Sequence, residues 1–174
     1  MIKCGSFLIA LLLCPTLYLC SAGDTLSVTC DGNSQQTYFK VNTKYYFIWH
    51  TNVSWFNAIH ICRRLGGDLA LIESASEMQS ISNYLISQGY GNTWLWTSGN
   101  DLVQNRKFLS VTSGMPLPYT EWSGGQPDNA GGNEHCVHLW LRNNSFRMND
   151  WICSSPAQVL CQSQNHSRCI DDYN

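Results

Sequence analysis

Charge is scarce in this 174-residue chain: ten Lys and Arg face twelve Asp and Glu, a formal net charge of −2. No stretch gathers the basic residues, which excludes a cationic patch for nucleic acid or anionic lipid. Long hydrophobic runs are missing after residue 19, so no later segment supplies the roughly 20 apolar residues of a membrane span. No internal repeat is present, which excludes solenoids and propellers. Also missing are a His-Glu-x-x-His helix, an EF-hand spacing and a glycine-flanked serine elbow. Ser, His and Asp occur, but nothing in their spacing gathers a nucleophile with a base, so catalysis is not expected.

What is present begins with a leader. One Lys precedes an apolar run over residues 7–19, and Cys20-Ser21-Ala22 supplies the small residues a signal peptidase reads. The run is short and Pro15 interrupts it, which favours a signal peptide over residues 1–22 rather than a membrane anchor. The expected mature protein is therefore soluble and secreted, with about 150 residues in one domain. Removing the leader reduces nine cysteines to six: Cys30, Cys62, Cys136, Cys153, Cys161 and Cys169. An even number in a secreted chain implies disulfides. Sequons at Asn52, Asn143 and Asn165 fit the same compartment.

Residues 23–43 form a polar lead-in. Residues 44–50, KYYFIWH, are aromatic and β-branched and predict a strand. Ala58, Cys62 and Leu65 then share a helical face, with Gly66-Gly67 as the stop. A second helix follows Ser74, whose capping box is completed by Glu77; Met78, Ile81 and Leu85 form its apolar stripe before Gly89. Short strands are predicted in TWLWTSG (93–99), KFLSVTSG (107–114), HCVHLWL (135–141) and AQVLCQS (157–163). Helices followed by strands with long loops give an α+β class. His50, His60 and His166 read as surface or satisfied core residues.

The loop WSGGQPDNAGGNEHC (122–136) carries four glycines and little aliphatic sequence. Gln126 and Asp128 flank Pro127, and a cis bond there would turn both side chains toward one point. Glu134 lies past a glycine-rich turn, and MNDWIC adds Asn149 and Asp150. These five side chains are hard oxygen donors, and a backbone carbonyl could supply a sixth. Ca²⁺ takes six to eight such oxygens. Zinc would need Cys or His; on a strand His135 and His138 face opposite ways, and Cys136 suits a disulfide better.

Taken together, Cys62, WTSGND (96–101), QPD (126–128), EHC (134–136), NDWIC (149–153) and Cys161 resemble the C-type lectin-like domain, over residues 44–163. Residues 164–174 would be a tail. The resemblance implies two helices flanking small antiparallel sheets, a long calcium-binding loop region, and disulfides Cys62–Cys161 and Cys136–Cys153. It implies that Gln126, Asp128, Glu134, Asn149 and Asp150 hold Ca²⁺, Asp150 through both its carboxylate and its main-chain oxygen. Two neighbouring sugar hydroxyls would complete the shell and hydrogen-bond the same side chains. The order Gln-Pro-Asp resembles galactose-preferring members, whereas Glu-Pro-Asn marks mannose binders.

Two departures stand out. Galactose-type members often carry a Trp after Gln-Pro-Asp, where this chain has Asn129-Ala130. Trp151 could supply the aromatic surface instead, or be packing. In the auxiliary calcium site Asp101 and Asn129 remain, but His135 and Asn105 replace acidic residues, so one strong site is expected. Cys30 and Cys169 could bridge within the chain or between two chains. The function implied is a secreted calcium-dependent lectin for galactose-type glycans on cell or microbial surfaces, with homo-oligomers adding avidity. The alternatives are a lectin-like module with a protein partner and structural calcium, or a hydrolase or metalloenzyme.

Overall fold

The computed structural model describes residues 37–164. The expected leader, Cys30, Cys169, the Asn165 sequon, His166 and most of the lead-in lie outside the described residues. The element order is β1 (Tyr38–Val41), β2 (Lys44–Val53), α1 (Trp55–Arg64), β3 (Gly67–Leu69), α2 (Ala75–Ser87), β4 (Leu95–Asn100), β5 (Leu109–Ser110), β6 (Cys136–Arg142), β7 (Ser145–Trp151) and β8 (Ala157–Ser163). The strands join into a single sheet ordered β1-β2-β8-β4-β6-β7, with β3 on β8 and β5 on β4. Every pairing is antiparallel except β4 with β8, so the small antiparallel sheets expected are fused into one mixed sheet.

Period-two alternation sorts the core onto the two faces. Tyr46 and Ile48 of β2, Leu95 of β4 and Leu160 of β8 pack with Met78, Ile81 and Leu85 of α2. Their neighbours Phe47, Trp96, Val159 and Cys161 pack instead with Trp55, Ala58 and Cys62 of α1. The two predicted helical stripes are thus the two buried helix faces. Disulfide Cys62–Cys161 ties α1 to β8, and Cys136–Cys153 ties the start of β6 to the segment after β7.

The caps follow the sequence, with two refinements. Ser54 and Ser74 cap α1 and α2 by accepting from Asn57 and Glu77 N–H. Glu77, however, reaches the N–H of Glu73 (2.6 Å), one residue further than a capping box requires. Its other oxygen accepts from the Tyr46 hydroxyl and lies 2.8 Å from Lys44 Nζ. Burial and this bond raise the Tyr46 pKa well above the tyrosine norm. Gly66 ends α1 at φ 77°, whereas Gly67 already belongs to β3. A Cβ on Gly67 would lie 2.4 Å from Gln162 O, so only glycine permits the β3–β8 approach.

Three stretches differ from expectation. β1 lies inside the region read as a polar lead-in, with Tyr38, Phe39 and Val41 buried. Within 107–114 only Leu109–Ser110 is strand; Ser110 Oγ accepts from the N–H groups of Thr112 and Ser113 and turns the chain away. β7 is an additional strand. Asn143 and Asn144, both at positive φ, make the tight turn that folds it onto β6.

Residues 101–135 are almost free of regular structure, yet they are anchored. Ser123 N–H donates to Met148 O, Met148 N–H donates to Glu121 O, and Trp140 Nε1 donates to Ser123 Oγ. Arg147 pairs with Glu121, and Phe108 packs on Trp122. The long loop is therefore docked on β7, the strand that carries Asn149 and Asp150.

Candidate functional site

The site grows from the end of β7. Register places Val137 opposite Asp150 and His138 opposite Asn149. Asp150 is fully buried, and its carboxylate fastens the loop: Oδ1 accepts from Asp128 N–H (3.1 Å), and Oδ2 from Asn129 N–H (2.9 Å). The Gln126–Pro127 bond preceding them is cis, and Gln126 Oε1 accepts from Asp128 N–H at 3.1 Å. Glu134, buried, accepts from Ala130 N–H (3.2 Å), while its own N–H donates to Asn129 Oδ1 (2.9 Å). Asn129 itself sits at φ 49°, a left-handed position that Asn tolerates.

These contacts bring one carboxylate oxygen each from Asp128, Glu134 and Asp150 to within 4.8 Å of one another. Three like charges at that range repel. Burial raises the Glu134 pKa, the Asp150 and Asp128 charges add to the rise, and the Ala130 N–H opposes it. A cation would relieve the repulsion.

Asn149 decides which kind of cation fits. Its Nδ2 donates to His138 Nε2 (3.0 Å) and to Asp150 O (2.6 Å), leaving Oδ1 buried with no partner among the described residues. Buried polar atoms rarely stay unpaired, and an orphaned amide oxygen on the residue before Asp150 would suit an oxygen-preferring cation. His138 is 1% exposed, and burial pulls its pKa down from 6.5 to about 4. A neutral ring with Nδ1 toward Leu139 O (3.3 Å) leaves Nε2 as the acceptor, which fixes the Asn149 flip. The donors are all oxygens, the preference of calcium rather than zinc.

The remaining predicted residues separate. Gln126 stands beside Asp128 with its oxygen turned onto the loop backbone. Trp151 is half-buried, packed edge-on against Trp94 at 4.8 Å and against His138 at 5.6 Å, so packing occupies much of its ring. Asp101 and Asn129, the auxiliary donors, are engaged within the chain. Asp101 Oδ1 meets His135 Nδ1 at 2.8 Å and Oδ2 accepts from Arg106 N–H at 2.7 Å. Arg106 also donates from its guanidinium to Asp150 Oδ2 at 2.7 Å. Sequence reasoning missed both Arg106 and the role of His138. The β6–β7 register could have located His138; a lone Arg five residues after Asp101 gave no signal.

The Lectin C-type domain family model matches residues 51–163. The chain belongs to the C-type lectin domain family. C-type lectin 37Db of Drosophila melanogaster is 37% identical to this lectin domain protein over 123 residues, 71% of this chain and 79% of that protein. Ladderlectin of Oncorhynchus mykiss is 31% identical over 149 residues, 83% of this chain and 77% of its own. Among solved structures, the C-type lectin CEL-I from Cucumaria echinata matches with TM-score 0.63 at 26% identity, covering 72% of this chain and 93% of that one. The carbohydrate-recognition domain of cow CD23, solved in the presence of a GlcNAc2Man3 oligosaccharide, matches with TM-score 0.62 at 26% identity, covering 78% and 95%. The α+β, C-type lectin fold expected from the sequence is therefore the fold of this chain.

Proposed function

We propose that this protein is a secreted, calcium-dependent lectin that prefers galactose-type sugars on cell-surface or microbial glycans. The observation that carries the reading is the Asp128–Glu134–Asp150 cluster, together with the orphaned Oδ1 of the adjoining Asn149. Gln126, Asp128, Glu134, Asn149 and Asp150 would hold the ion. Bound Ca²⁺ supplies a coordination point for two neighbouring sugar hydroxyls. The chain's own groups do the recognition: the Gln126 amide nitrogen donates to the hydroxyls, and carboxylates accept from them. With Gln126 before Pro127 and Asp128 after it, the donor and acceptor follow the galactose-type order. No bond is broken; the site discriminates by hydrogen-bond polarity.

Trp151 offers a sugar only the part of its ring that Trp94 and His138 leave open. Binding of a monosaccharide should therefore be weak, with homo-oligomers raising avidity. Export, with cleavage after Ala22, is part of the proposal. So are a recognition domain over 44–163 between a lead-in and a tail, and a Cys30–Cys169 bridge within or between chains.

Retention on immobilised galactose in calcium, with elution by a chelator or by free galactose, tests the reading. Retention that survives both would sink it and favour a lectin-like module with a protein partner.

A further inference from the structure

Arg106 is the one basic side chain that the described residues place directly on the carboxylate cluster, and its position depends on unusual backbone. It stands at φ 61°, a left-handed conformation that L side chains rarely adopt. That conformation serves two contacts at once. The Arg106 N–H donates to Asp101 Oδ2 at 2.7 Å, and its guanidinium donates to Asp150 Oδ2 at 2.7 Å. Both carboxylates are buried, at 2% and 0% exposure, while the Arg106 side chain is 33% exposed. The charge therefore reaches inward from the rim. Asp101 has its other oxygen on His135 Nδ1, and Asn129 has its side-chain oxygen on Glu134 N–H, so the neighbouring donors are occupied too.

We propose that Arg106 is the resident counter-cation of this site. Without calcium it neutralises Asp150 and holds the 101–106 loop against β7. With calcium it stays one ligand away from the ion, opposes its charge, and lowers the affinity. Arg106 thus trades ion affinity for a loop that is formed before the ion arrives. The idea rests on the calcium reading proposed above, and it adds a setting of affinity that the donor set alone does not supply.

The test uses the full mature chain with Arg106→Gln and, as a second neutral variant, Arg106→Ala. Calcium titration calorimetry reads affinity, and thermal unfolding in chelator reads the ion-free state. A unit charge beside a divalent ion in a largely hydrated setting corresponds to an effect on the order of tenfold. The neutral variants should bind calcium about tenfold more tightly and melt several degrees lower in chelator. Arg106→Lys, which keeps the charge, should restore wild-type affinity to within about threefold. Affinity and ion-free stability that fall together, or an affinity that does not change, overturn the proposal; so does a Lys variant that behaves like the neutral ones. Absence of calcium binding by the wild type overturns the calcium reading and this proposal with it. Equal binding by wild type and neutral variants overturns the proposal alone.

Discussion

At the scale of the residue, the Asn149 amide ties the buried His138 to the backbone of Asp150. The amide nitrogen is held by His138 Nε2 and Asp150 O, which leaves the oxygen buried without a partner among the described residues. In the proposed reading, by contrast, sugar choice rests with Gln126 and Asp128, whose order resembles that of galactose-preferring members. Exchanging them as Gln126→Glu and Asp128→Asn should shift a glycan array from galactose toward mannose; an unchanged profile would place specificity elsewhere. The gathering of Asp128, Glu134 and Asp150 was legible because polar residues fall in two clusters, each beside a cysteine, where a core strand would carry apolar ones. Arg106 was not legible. Its pairing with Asp150 spans 44 positions and needs a positive φ that Arg rarely adopts.

Elements were legible where periodicity and caps agreed, as in α1 and α2, and less so where tertiary pairing overrides propensity. β7, SFRMNDW, has no β-branched residue and is a strand because the Asn143-Asn144 turn lays it on β6. β3 shows the reverse dependence, in which a backbone approach requires a missing side chain. Gly67→Ala should destabilise the domain by about 2 kcal/mol or more, because the Cβ would press on Gln162 O rather than on a flexible side chain. Urea unfolding checks this. A loss below about 0.5 kcal/mol, typical of neutral surface changes, would mean that β3 can move off β8. Fusion of the strands into one sheet was also beyond the sequence, since the parallel β4–β8 contact joins segments far apart in the chain.

For the whole molecule, the α2 face of the core includes tyrosines that resist ionisation. Burial raises the pKa of Tyr46, Tyr84 and Tyr90, and Glu77 raises Tyr46 further. The sign follows from linkage. A group with a higher pKa in the folded state contributes stability below its unfolded pKa and loses it as the pH rises beyond. Stability in urea should therefore decline from about pH 10 upward, near the unfolded tyrosine pKa, and Tyr46→Phe should make the decline shallower. A flat profile up to about pH 11 would show that these hydroxyls ionise as freely folded as unfolded.

The ladders set Tyr38 opposite Phe47 and Phe47 opposite Cys161, so the first and last strands of the domain lie on either side of β2. A short peptide linker could join them, and the ring so formed could be opened elsewhere, at the exposed Asn143-Asn144 turn. Such a circular permutant keeps every strand pairing except the continuity of one hairpin.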